Sequence, residues 1–217
     1  MNRPIPSYEL YGNLLSGSLL DAVHHETIKE RSSKHDWTIR LHRHRQLAQI
    51  FLFRTAGVSF RLGDMEHTSS EPMILVILPG IPHGFLFSED VEGDVLSVKL
   101  DQVPETVAAR LELFGAATNP VFFERETQNF ANVAALIDQI SGVYHSVSDS
   151  RTELLLTLAD LILLYLTADV RRKNTLSQVA VSGPKNRQNQ RAEAFCELLE
   201  DNFSGSWMVA DLSLIHI

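Results

Sequence analysis

Three features of the sequence predict an α+β protein. Short segments rich in β-branched and aromatic residues fill residues 1–102. The period then changes to a helical one from residue 103. A polar, basic stretch follows residue 170, and helical spacing resumes beyond it. The expected order is a strand-built domain over 1–102, a helical segment over 103–170, a basic linker over 171–186 and the start of an all-α domain over 187–217.

The strand segments are "WTIRLH", "QIFLFR", "VSFRL", "MILVIL" and "DVLSVKL". Their side chains suit a pleated, half-buried surface. Turn-forming pairs separate them, at Gly57, Gly63-Asp64, Glu71-Pro72, "PGIPHG" and "EGD". Many short strands at such intervals predict a closed barrel or a sandwich.

Helices follow. "PETVAARLELF" carries a proline at a plausible first helical position. "NFANVAALIDQISGVY" places Val133, Leu136, Ile137 and Ile140 on one face. "SDSRTELLLTLADLILLYLTADV" offers Ser150 and Glu153 as a capping box and is apolar nearly all round. Such a helix has to bury more than one side, and a second copy of the chain is the expected partner, with Leu156 and Leu163 the expected contacts. Next, "RRKNTLSQVAVSGPKNRQNQR" carries six basic residues and no acidic one, a pattern expected of a solvated linker. "NQRAEAFCELLEDNF" returns to helical spacing, with Cys196 on its apolar stripe.

Composition narrows the function. A formal net charge of −8 opposes nucleic-acid coating by the surface as a whole. One cysteine, Cys196, rules out an intrachain disulfide and fits a reducing compartment. The opening "MNRPIPSYEL" has no apolar signal region, and "LLLTLADLILLYL" is shorter than the roughly 20 residues a bilayer span needs. A cytoplasmic protein without membrane partners is expected. No G-x-S-x-G, P-loop or Rossmann glycine pattern occurs.

"HRHRQLAQIF" and "LPGIPHGF" hold the candidate site. Strict alternation along a strand puts His42, His44 and Arg40 on one face, and Gln49, Phe51 and Phe53 on one face of the next strand. His83 follows the Pro-Gly turn. Two or three imidazoles, an amide, a guanidinium and two phenyl rings suit a small polar aromatic ligand. The expected ligand-binding residues are therefore Arg40, His42, His44, Gln49, Phe51, Phe53 and His83, with Arg40 taking a carboxylate. His24, His25 and His67 are expected at the surface or on strands.

The same spacing resembles the cupin motifs, where two His, a Glu and a later His hold a divalent metal. Gln49 stands at the carboxylate position and Phe87 where the second motif usually has Asn. An amide in that place weakens a hard-cation site, so no metal and no other cofactor is expected. A metal-dependent cupin enzyme, a dioxygenase or isomerase, is the alternative, and the protein is not expected to be an enzyme.

The order of these segments, with helices, a basic linker and "RAEAFCELLEDNF" then "WMVADLS" following, resembles the AraC/XylS family of bacterial transcription regulators. "IPSYELYG" and "HDWTIRLHRH" look most like the branch that senses 4-hydroxybenzoate. The resemblance implies a cupin-like barrel that binds a small effector such as an aromatic carboxylate. It also implies a helical segment that makes a homodimer and a C-terminal pair of helix-turn-helix motifs that binds DNA. "LIHI" stands where the family's second DNA-binding helix would continue. The 217-residue chain is thus expected to keep the sensor and dimerisation parts, with DNA a partner of a full-length parent only.

Overall fold

In the computed structural model of the chain, residues 6–8, 22–115, 121–125 and 127–180 are described. The chain divides into two compact units, 1–170 and 171–217. The expected helix-turn-helix start, 187–217, and the linker beyond Ala180 lie outside the described residues.

The first unit begins with β1 (Ser7–Tyr8), β2 (Val23–Thr27) and the short helix α1 (Ile28–Ser32). Then come β3 (Thr38–His44), β4 (Leu47–Phe53), β5 (Ser59–Leu62) and β6 (Met65–Thr68). The strands β7 (Met73–Ile77), β8 (His83–Leu86) and β9 (Gly93–Lys99) follow. The helix α2 (Glu105–Gly115), strand β10 (Val121–Glu124), and helices α3 (Phe130–Tyr144) and α4 (Arg151–Ala180) complete the order.

The strands form two five-stranded sheets, in the orders β1-β3-β8-β5-β6 and β10-β7-β4-β9-β2. Every described pair is antiparallel except β1 beside β3. Strand spacing left barrel and sandwich open, and the family resemblance implied a cupin-like barrel. Here the ladders stay within two sheets, with no ladder joining them among the described residues.

Strand β4 shows how the layers arise. All seven of its residues are buried. Its neighbours on both sides, β7 and β9, complete its hydrogen bonds, so its side chains can face two dry layers. Phe51 and Phe53 face the other sheet, packing with Leu75, Val95, Ile39, Phe60 and Phe85. Ala48, Ile50 and Leu52 face the opposite way, against Leu111 of α2, Ile137 of α3 and Ile162 of α4. Burying each large side chain contributes about 1.5–3 kcal/mol.

The helices start close to where the sequence placed them. The helix expected to end at Val170, however, continues to Ala180, through the first turns of the expected linker. Leu163 is fully buried in the core between helices and sheet, so it is not free for a second copy. Leu154, Leu161 and Leu164 are instead exposed, at 44%, 37% and 45%. The complete capping box of the described chain is at α1. Thr27 accepts from the Glu30 backbone, and the Glu30 carboxylate accepts from the Thr27 backbone. No helix among the described residues is long and apolar enough to cross a membrane.

Candidate functional site

The first sheet brings the three motif histidines together by way of a β-bulge. Ile39 pairs with Phe85 and His42 with His83, so three steps on β3 match two on β8. The extra residue reverses the alternation. Ile39 and His42 therefore both point into the interior, as does His44 two residues on. Gly84 makes room for the bulge: a Cβ there would lie 3.0 Å from the Ile39 carbonyl oxygen and 3.1 Å from the Leu41 nitrogen. The turn before His83 needs Gly80, whose φ is +82°, and the Gly80 N–H donates to the His44 carbonyl at 2.7 Å.

His42, His44 and His83 are buried at 0%, 1% and 1% exposure. Ring centroids lie 4.8 Å (His42–His44), 4.3 Å (His42–His83) and 5.3 Å (His44–His83) apart. His42 Nδ1 lies 2.8 Å from the Arg40 carbonyl, and His83 Nδ1 lies 2.8 Å from the Ile81 carbonyl. A carbonyl only accepts, so both Nδ1 atoms carry hydrogen, and in the neutral ring both Nε2 atoms present a lone pair. Burial, together with the His44 and Arg31 charges, pushes the His42 imidazole down to about 4. Burial and the neighbouring His42 ring push His83 down to about 3. Both rings are therefore neutral at pH 7. His42 Nε2 meets His44 Nε2 at 3.2 Å, which makes His44 the donor of that pair.

Two polar atoms of this interior lack a hydrogen-bond partner among the described residues: His83 Nε2 and Gln49 Oε1. Gln49 is fully buried on β4, and its amide nitrogen donates to Ser97 Oγ at 3.1 Å. A buried polar atom left unpaired costs about 1–3 kcal/mol. Both of these atoms can accept a hydrogen bond. Phe85 links the histidines to the ring cluster, 6.1 Å from His83 and 4.6 Å from Phe51. Phe53 stacks behind Phe51 at 5.8 Å.

Arg40 does not join them. The bulge puts its side chain on the exposed face, and only its backbone carbonyl serves the site, as the partner of His42. The alternation that grouped Arg40 with the histidines fails because it counted β3 alone, whereas the bulge is set by pairing with β8. The guanidinium whose charge reaches His42 and His83 is that of Arg31, buried on α1 and paired with Glu26. Sequence reasoning missed Arg31, Ser97 and Phe85. For Arg31 the legible signal was the capping box that orders α1.

A second polar cluster lies on the helix side of the second sheet. His25 Nε2 meets Asp94 Oδ1 at 3.0 Å, and Arg54 bridges Asp94 Oδ2 at 3.1 Å to Asp138 Oδ1 of α3 at 2.6 Å. Burial opposes ionisation of Asp94, but the His25 and Arg54 hydrogen bonds outweigh it and hold its carboxyl below the usual carboxylate range. Tyr144 at the end of α3 hydrogen-bonds His24 of β2, and the Arg151 guanidinium lies 4.8 Å from its ring centroid. His25, expected at the surface or on a strand, is a buried strand residue tying the sheet to α3.

No protein-family model and no curated protein matches the sequence. Among solved structures, the chain is similar to apo ToxT K231A from Vibrio cholerae strain SCE256, at 9% identity and a TM-score of 0.42, over 88% of this chain and 68% of that one. ToxT from Vibrio cholerae O395 is similar at 9% identity and a TM-score of 0.37, with the same coverage of 88% and 68%. The AraC-like transcriptional activator CuxR is similar at 13% identity and a TM-score of 0.38, over 66% of this chain and 48% of that one. Likeness at this level is one of coarse chain arrangement.

Proposed function

We propose that this chain is the effector-sensing and dimerising part of an AraC-type transcription regulator, and that its ligand is a small aromatic acid such as 4-hydroxybenzoate. The observation that carries this reading is the inner surface of the first unit. His83 Nε2 and Gln49 Oε1 are buried there without partners, beside neutral imidazoles and the Phe51–Phe85 ring pair. Both orphaned atoms are acceptors, and the single hydrogen of a phenol hydroxyl serves one of them, Gln49 Oε1. The rings offer offset and edge contacts worth about 0.5–1.5 kcal/mol each beyond area burial.

The helices on the back of the second sheet give such a ligand something to act on. Arg54, next after the last residue of β4, ties β9 to α3 through Asp94 and Asp138 on the helix side of the sheet. A ligand that changes the packing of β4 shifts the balance of states only by binding them unequally. The exposed Leu154, Leu161 and Leu164 of α4 recur at intervals of seven and three, the spacing of a seam between two helices. A homodimer through this face completes the reading, and promoter DNA is the partner of a full-length parent.

The test is calorimetric titration of the 217-residue chain with 4-hydroxybenzoate, benzoate, protocatechuate and arabinose. The reading expects 4-hydroxybenzoate to bind and benzoate to bind far more weakly, because benzoate has no hydroxyl to donate to Gln49 Oε1. Binding of the sugar with no binding of any aromatic acid overturns the effector class.

A further inference from the structure

The exposed position of Arg40 takes the cation expected to receive an anionic ligand away from the inner surface, and the Arg31 guanidinium, buried near the histidines, is paired with Glu26. We propose that His42, His44 and His83 together bind one divalent transition-metal ion of the zinc class, and that this ion receives the anionic group of the effector. The second half rests on the sensor reading given above. The first half stands on the histidines alone.

Four observations carry it. The three rings are buried and each offers a ligand nitrogen, all within 4.8 Å of one another. His42 Nε2 and His44 Nε2 are 3.2 Å apart. Two nitrogens at about 2.0–2.1 Å from one tetrahedral zinc lie roughly 3.3–3.4 Å apart, so this pair needs almost no adjustment. The outer nitrogens of His42 and His83 each donate to a backbone carbonyl, the arrangement that orients metal-bound imidazoles. Finally, His83 Nε2 is a buried lone pair with no hydrogen-bond partner among the described residues.

The donor set decides the class of ion. Three imidazoles with no carboxylate in the group suit zinc, copper, nickel or ferrous iron, and disfavour magnesium and calcium. On binding, His44 moves its ring proton from Nε2 to Nδ1, and His42 and His83 keep theirs. Three neutral ligands leave the charge of the ion uncompensated and at least one position open. A carboxylate or phenolate fills that position and supplies the missing negative charge. This reverses the metal-free expectation drawn from Gln49. The amide removes a charge from the donor set, and that leaves the ion more attractive to an anionic ligand.

The experiment uses the full chain, stripped with chelator and titrated with cobalt(II), whose visible absorption is intense in low-coordinate nitrogen sites and faint in six-coordinate water. The expected result is an intense spectrum saturating at one ion per chain and bleached by zinc. His35→Ala, at an exposed residue, should keep the spectrum. His83→Gln should weaken cobalt binding by more than the roughly 10–100-fold that even an outer-shell partner is worth. Circular dichroism checks that the variant is folded. A faint aqueous spectrum with the wild-type chain overturns the metal site, whatever the variants do. With the ion bound, calorimetry of 4-hydroxybenzoate with and without zinc separates the two halves. Affinity at least about tenfold higher with zinc supports the proposal, as a charge-assisted contact exceeds a neutral one. Equal affinity in both states overturns the metal's role as anion receiver and leaves the sensor reading standing. Binding of the acid without any metal site leaves that reading standing as well.

Discussion

The two faces of β4 differ in kind although one seven-residue strand makes both. The helix-facing side, Ala48, Ile50 and Leu52, is apolar and fully buried, and lies in a cluster of hydrophobic residues only. The inner side begins with Gln49, whose carbonyl oxygen is unpaired, and continues into Phe51 and Phe53. The other sheet brings in three buried histidines. A core built only for stability has no reason to hold these groups, since each unpaired polar atom lowers stability. The difference teaches that the helix side holds the fold together, while the inner side carries unpaired polar groups at a cost in stability, which the proposed ligand site accounts for.

Substitutions can break that contrast, and the largest effect belongs to the helix side. Ile50→Ala should lower unfolding stability by about 2–5 kcal/mol, as removal of a buried aliphatic side chain does. Denaturant melts measure it. Gln49→Leu, one residue away, removes the unpaired carbonyl oxygen but also the donor to Ser97 Oγ, so it should cost clearly less stability than Ile50→Ala while abolishing aromatic-acid binding. Equal losses of stability at the two positions would erase the contrast.

A second contrast lies along α4. Leu163→Glu buries a charge in the core and should prevent folding, whereas Leu161→Glu meets solvent in the single chain and should leave it folded. If α4 is the seam of a dimer, Leu161→Glu gives a folded monomer by sedimentation where the wild-type chain sediments as a dimer. A wild-type monomer at micromolar concentration contradicts the seam.

A smaller effect comes from the ion-pair cluster between sheet and α3. The Asp94 carboxyl sits below its usual range when folded, so its contribution is present above the unfolded value of about 3.9 and is lost as pH falls through the lower folded value. Asp94→Asn should therefore flatten the acid limb of the stability curve and lower stability near neutral pH. An unchanged acid limb means that the cluster does not couple the sheet to the helix through this charge.

Much of this was legible in the sequence where periodicity alone decides. The alternation on β4 sorted Gln49, Phe51 and Phe53 from Ala48, Ile50 and Leu52 correctly because that strand runs regularly between two neighbours. The stripe of Val133, Leu136, Ile137 and Ile140 is the buried face of α3. What failed depended on partners far away in sequence. The bulge in β3 exists only in its pairing with β8, so strict alternation assigned Arg40 to the wrong face. Which leucines of α4 face the sheet depends on where α2 and α3 lie, and an all-apolar helix carries no stripe to read. The strand β8 passed as a turn because "PGIPHG" is full of breakers, yet Gly84 is there for a close approach between strands. The short helix α1 was overlooked although Thr27 and Glu30 spell its capping box.

The central claim is that the inner surface around His83 is a ligand site, and ring-nitrogen NMR of the histidines tests it most directly. With nine histidines in the chain, 15N-histidine labelling and assignment by substitution are practical. On titration with 4-hydroxybenzoate, the account predicts that ring signals of His42, His44 and His83 shift in proportion to occupancy, while those of His35, on the exposed surface, stay fixed. Saturable binding that leaves all three inner histidines unmoved would place the ligand elsewhere and contradict the account.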